Sequence, residues 1–301
     1  MTELNISKRK KIIDIENIIP TILFIIASVS VLTSIGIVIT LVVDASHFFA
    51  EVPLSEVFST ELEPLRAKNP SFGFLPLIMG TIVTSVIAML VAAPLGLASA
   101  MFLSEFMTPK KRRIIKPIIE VLAGIPTIVY GFFAYNTVTP ILMKLIPSIG
   151  SKNALSPGIV MGIMIIPIVT SLSEDAMSAV PDSIRQGAYG LGSTKLEVAS
   201  KVILPAAISG IVAAFVLAIS RAIGETMIVT IASGSMKNFT LDVTMPMQTM
   251  TAYIVEFTSG DAGSGTVGYY SLYAVGLILF IFTLVTNLFA KYITKKYRRE
   301  Y

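Results

Sequence analysis

The chain of 301 residues is 54% hydrophobic and only 14% charged, with a mean hydropathy of +0.80 and a formal net charge of +4. A soluble domain carries about 25% charged residues, so the composition excludes one and indicates a single membrane-embedded domain over 1–301. With no cysteine and one histidine, His47, a disulfide framework and a Cys or His metal cluster are excluded; no nucleic-acid partner is indicated, and the lipid bilayer is the surrounding medium.

A helix rising 1.5 Å per residue needs about 20 residues to cross a hydrocarbon core of about 30 Å. Six uncharged runs are long enough: 17–43, 69–104, 121–143, 153–173, 202–220 and 262–290. They predict an all-α polytopic bundle of six spans, placed at about 18–43, 74–104, 118–143, 155–173, 203–224 and 267–290. The first run follows Lys8, Arg9, Lys10 and Lys11, yet it is too long for a signal-peptide core and Asp14 and Glu16 interrupt its approach. It is expected to be retained as the first span. Pro94, Pro126 and Pro167 fall inside spans and predict kinks.

Lysine and arginine alternate between rich and poor loops. Four lie before the first span, five in 105–116 (Lys110, Lys111, Arg112, Arg113, Lys116), three in 174–201 and five at the end (Lys291, Lys295, Lys296, Arg298, Arg299). The intervening loops hold two each, which puts both termini on the cytoplasmic side of the membrane. Glu120, four residues after Lys116, is expected to pair with it or to brace the adjoining loop.

The loop at 174–202 is longer than a turn requires. Pro181-Asp182 signals a helix start, Gly187, Gly190 and Gly192 signal its end, and Thr194 with Glu197 reads as a capping box for a second short helix. Leu204-Pro205 is expected to open the fifth span. The same pattern also suits an ordinary amphipathic connector.

After that span's nineteen uncharged residues come Arg221 and Glu225, one helical turn apart. Sixteen residues beyond Pro205, Arg221 falls about 24 Å along the helix, in the outer half of the membrane. A charge at that depth faces a cavity or a partner. Arginine offers a planar fork suited to two oxygens of an oxyanion, and Glu225 can orient the fork and accept a proton donor from the ligand. An i,i+4 pair is also a common structural device. Thr226, Thr81 and Thr84 supply hydroxyls for the same path or for hydrogen bonds between helices. No Gly-rich Lys-Ser/Thr nucleotide loop is present, so the chain is not expected to hydrolyse ATP or to hold a cofactor.

Several segments resemble a known family. The spacing Gln186-Gly187-Ala188, Gly192, Val202 and Leu204-Pro205 resembles the EAA loop of ABC importer permeases, with Gln for Glu and Gly for Ala in the triplet. "FGFLPLIMGTIVTSVIAMLVAAPLGLASAMFLSEF" (72–106), "IEVLAGIPTIVYG" (119–131), "RAIGET" (221–226) and "YYSLYAVGLILFIFTLVTNLFAKY" (269–292) are similar to the phosphate importer branch. The long first external loop and the Met-rich 244–257 segment resemble its C-type subunit. The resemblance implies the type I importer permease fold, with 174–202 as the coupling helix docked on an ATPase. It also implies a second, A-type permease, an ATPase dimer that holds ATP and Mg²⁺, and an extracytoplasmic phosphate-binding protein. Transport would proceed by alternating access. Another oxyanion, sulfate or molybdate, is the alternative substrate; a membrane enzyme acting on lipid phosphate and a passive anion channel are the alternative classes.

Overall fold

The computed structural model describes residues 3–66, 68–261, 263 and 265–297. The charge count at Arg298 and Arg299 lies outside the described residues. Apolar composition sets the elements: α1 (Glu3–Glu51), α3 (Leu75–Met101), α7 (Leu155–Ser178) and α14 (Val267–Tyr297) contain the four stretches long and apolar enough to cross a membrane singly. Two bent pairs complete the set, so that counting each pair as one crossing makes six.

The first bent pair corrects the span expected at 118–143. The helix α4 (Pro109–Val121) with its extension to Gly124 turns by 83° at Ile125-Pro126 into the pair α5 (Thr127–Phe133) and α6 (Thr139–Leu145). Proline has no N–H and disfavours helical geometry in the residue before it. Ile125 is accordingly extended, at φ −71° and ψ 129°.

The second pair corrects the span expected at 203–224. Here α8 (Asp182–Gly190), α9 (Lys195–Glu197) and α10 (Leu204–Ala206) precede a 73° bend into α11 (Ile208–Ile223). Leu204-Pro205 therefore ends the loop segment instead of opening the span. Pro205 cannot donate to the turn before it, and the chain bends at Ala207, whose N–H still reaches the Ile203 carbonyl at 2.8 Å.

Close approach of α3 and α7 forms the centre. Ile87, Val91 and Val169 sit against Gly158, Gly162 and Gly96; a Cβ on Gly162 would lie 2.7 Å from the Val91 Cβ and 2.8 Å from the Ala88 carbonyl. Small residues let helix backbones meet where lipid offers no hydrophobic drive for association. Around this seam Ala88, Ala92, Met161, Met164, Ile165, Ala218 and Ala222 form one buried cluster.

At one end of the bundle an aromatic cluster of Phe48, Phe72, Phe74, Tyr253 and Phe257 ties together α1, the short α2 (Leu54–Val57), the hairpin β1 (Leu62–Glu63) with β2 (Ser71–Phe72), and α13 (Met250–Glu256). The opposite end carries the 174–206 segment, where Ala100, Met177, Val180, Ala188, Val198, Ile203 and Ile211 are buried together.

Candidate functional site

Arg221 and Glu225 meet, but not as neighbours on one helix face. The α11 helix stops at Ile223, and after Gly224 the chain restarts as α12 (Met227–Ala232). With 16 residues α11 is about 24 Å long, shorter than the roughly 30 Å needed to cross. Arg221 is in its last turn and Glu225 lies in the break.

The two oxygens of Glu225 have separate duties. Its Oε1 accepts from the N–H groups of Met227 and Ile228 at 3.2 and 3.4 Å, so the carboxylate caps α12. Its Oε2 stands 3.7 Å from Arg221 Nη2. The Glu225 side chain is 2% exposed and that of Arg221 45% exposed. At that separation the pair attracts without a hydrogen bond, which leaves the arginine donors without a hydrogen-bond partner among the described residues. Arg112 and Arg185, by contrast, are tied to buried carboxylates.

Neighbouring elements hold the break in place. Thr251 Oγ1 donates to the Glu225 carbonyl at 2.7 Å, and Thr81 Oγ1 accepts from Met250 N–H at 3.0 Å while donating to the Leu77 carbonyl at 2.8 Å. Thr81 thus reaches the Arg221 region through α13, as a brace. Thr84 donates to the Gly80 carbonyl at 2.8 Å and stays within its own helix. Thr226 stands at the start of α12, its hydroxyl 3.4 Å from the Gly224 carbonyl. None of the three threonines hydrogen-bonds to Arg221.

At the other end of α11 lies the glycine corner. Gly192 takes φ +85°, a conformation that costs any residue with a Cβ. The capping box is complete: Thr194 N–H reaches Glu197 Oε2 at 3.1 Å and Glu197 N–H reaches Thr194 Oγ1 at 3.4 Å. These bonds, with Lys201 3.0 Å away, lower the Glu197 pKa to about 2. Of the triplet, Gln186 and Gly187 are exposed while Ala188 is buried in the end cluster. Leu204 and Pro205 are half-buried behind it. Leu191, 90% exposed at the tip, is the prominent side chain of the corner and escapes a spacing motif that reads only its glycine neighbours.

Two buried carboxylates tie this corner to the bundle. Glu105, at the end of the second span, holds Arg185 of α8 at 3.1 Å, and Arg185 also donates to the carbonyls of Met177 and Val180. Glu174, fully buried and still inside α7, takes Arg112 and Lys116 from α4; Asp175 takes Lys116 as well, at 2.5 Å. Burial alone would lower the Lys116 pKa, yet the hydrogen bonds it donates to Asp175 and Glu174 and their charges together raise it. The expected Lys116–Glu120 pair is therefore replaced, because α7 presents two carboxylates to the lysine. Glu120 accepts instead from Ser171 Oγ at 2.7 Å. Glu105, Glu174 and Arg185 carry no local signal beyond being acidic or basic residues next to apolar runs.

Comparison with known proteins gives the arrangement a context. Residues 92–299 match the model of the family described as binding-protein-dependent transport system inner membrane component. The chain is 35% identical over 277 residues to the phosphate transport system permease protein PstC of Mesorhizobium japonicum, covering 85% of this chain and 83% of that one. It is 33% identical over 228 residues to the probable ABC transporter permease protein YqgH of Bacillus subtilis, covering 76% and 74%. Among solved structures, the bacterial alginate ABC transporter in complex with a pentasaccharide-bound periplasmic protein aligns with a TM-score of 0.61 at 14% identity, over 91% of this chain and 94% of that one. An inward-facing MetNI methionine transporter aligns at 0.56 and 14%, over 75% and 95%. At those identities the likeness concerns the fold.

Proposed function

Since the chain belongs to the family of binding-protein-dependent transport system inner membrane components, and its relatives include phosphate permeases, we propose that it is the C-type permease subunit of an ATP-driven phosphate importer. It is a multi-pass membrane subunit of ABC importer type. Its termini face the cytoplasm in this reading, which places the 182–206 segment beside the ATPases and Arg221 in the outer half of the membrane.

The observation that carries the site assignment is the open guanidinium fork of Arg221, held at a helix break by a buried carboxylate. Arg221 receives two oxygens of the anion. The Oε2 atom of Glu225 steadies the fork in the empty state and accepts a hydrogen bond from a protonated phosphate oxygen. Fully deprotonated sulfate has no proton to give and would leave that carboxylate repelled. Thr226 lies beside the break and Thr81 braces it through α13, while Thr84 adds a hydroxyl bonded within its own helix.

The energy comes from partners: an ATPase dimer, which holds ATP and Mg²⁺, under this permease and an A-type permease, with a binding protein delivering the anion from outside. Gln186, Gly187, Gly192 and Leu191 face the ATPase. Ala188, Leu204 and Pro205 join that surface to the base of α11, so that motion of the corner moves the helix bearing Arg221 and alternates its access.

The test is ATP hydrolysis by the reconstituted complex with its binding protein, challenged in turn with phosphate, sulfate and molybdate. Phosphate should stimulate it and Arg221→Lys should abolish the stimulation while the complex still assembles. Stimulation by another anion alone, or an unaltered Arg221→Lys response, would overturn the assignment.

A further inference from the structure

The α4 helix has three faces, and two are accounted for. Arg112, Lys116 and Glu120 turn to α7, where they meet Glu174, Asp175 and Ser171. Ile115 and Ile119, half-buried, face Phe102, Leu103 and Met107 across a groove of about 380 Å³. On the third face Ile114, Ile118 and Val121 are 65%, 62% and 68% exposed. At about 100° per residue these three form one stripe, flanked by Lys110 and Lys111. Arg113 lies between the stripe and the paired face. Lys110, Lys111 and Arg113 are exposed and have no acidic partner among the described residues.

The position of the helix narrows what can cover this face. It begins just after the second span ends and turns by 83° into the third, so it lies across the span direction at the level where both meet the surface of one leaflet. An aliphatic stripe at that depth meets the acyl-chain boundary. Lysines beside such a stripe extend their stems along it and place their charges at the phosphate level. The complementary occupant is apolar beneath and anionic above.

We propose that α4 is an interfacial helix that seats Ile114, Ile118 and Val121 in the leaflet and binds the phosphodiester of an anionic phospholipid with Lys110, Lys111 and Arg113. Its opposite face grips Glu174, so the lipid-anchored helix supplies a fixed support for the end of α7 from which the 182–206 segment departs.

Because the chain has no cysteine, Ile118→Cys gives this subunit a unique labelling position. The complex, carrying an environment-sensitive fluorophore there, is reconstituted in phosphatidylcholine vesicles with and without phosphatidylglycerol. Blue-shifted emission quenched by brominated acyl chains is expected. In parallel, spin-labelled phosphatidylglycerol should be retained over phosphatidylcholine, and changing Lys110, Lys111 and Arg113 to glutamine should erase that preference, by roughly fivefold per charge removed. Inorganic phosphate at millimolar concentration should not displace the lipid. Emission typical of water, shielded only when the ATPase subunits are bound, would make the face a protein docking surface and overturn the proposal. Displacement by inorganic phosphate would assign the cations to the transported anion, and an unchanged lipid preference in the triple variant would remove them from any lipid site.

Discussion

Replacing Glu225 by glutamine and by alanine separates the two duties of its carboxylate. Glutamine retains an oxygen for the Met227 and Ile228 N–H groups and deletes only the charge 3.7 Å from Arg221. With the arginine 45% exposed, screening keeps the stability cost of that loss to about 1 kcal/mol or less. Alanine removes the cap as well. A lost cap costs about 1–2 kcal/mol, and the Ile228 N–H, in a residue with no exposed surface, raises this toward ~3 kcal/mol when left without an acceptor. Thermal unfolding of the purified subunit should therefore place Glu225→Ala well below Glu225→Gln, at about 2–4 °C per kcal/mol. ATP-driven phosphate uptake by proteoliposomes of the complex should fall on the order of tenfold for Glu225→Gln, about 1.4 kcal/mol. If glutamine unfolded together with alanine, the charge itself would be structural. Wild-type uptake by a stably folded glutamine variant would remove the pair from the pathway.

Other perturbations follow from the packing. Gly162→Val would drive a side chain into Val91 and the Ala88 carbonyl, 2.7 and 2.8 Å from the new Cβ, and should lower stability by about 1–3 kcal/mol or more, read by thermal unfolding in detergent. Arg185→Gln strands Glu105, whose side chain is 4% exposed, at a cost of about 3–5 kcal/mol, whereas Glu105→Gln should be milder. Limited proteolysis of 180–206 should report that difference, and equal cleavage of both variants would count against the clamp. The capping box depends on the Glu197 charge. Since its folded pKa is depressed from 4.5 to about 2, its contribution is complete above pH 4.5 and lost only as pH falls toward 2. Thr194→Ala should therefore loosen the corner equally at pH 5 and pH 8, as followed by hydrogen exchange at Lys195–Glu197.

The features legible in the residue order are those whose cause is local. Uncharged runs define the apolar helices, since each must satisfy its own backbone in lipid; Leu75–Met101 lies within the expected second span and Leu155–Ser178 contains the expected fourth. The Asp182 start, the Gly192 corner and the Thr194–Glu197 box also depend on residues a few positions apart. The nearness of Arg221 to Glu225 is visible in the same way, though the intervening helix end is not.

What only the tertiary structure decided involves partners distant along the chain. Arg185 finds Glu105 eighty positions away, and Lys116 leaves its helical neighbour Glu120 for Glu174 and Asp175 of α7. Prolines at 126 and 205 permit a bend, but the packing around them sets its angle. The break that lets Glu225 cap α12 is held from another part of the chain, by Thr251 on the Glu225 carbonyl, while Thr81 holds the α13 backbone beside it. Helix formation is a near-neighbour interaction and can be read along the sequence; burial of a charge is settled by whichever side chains the folded helices bring within reach.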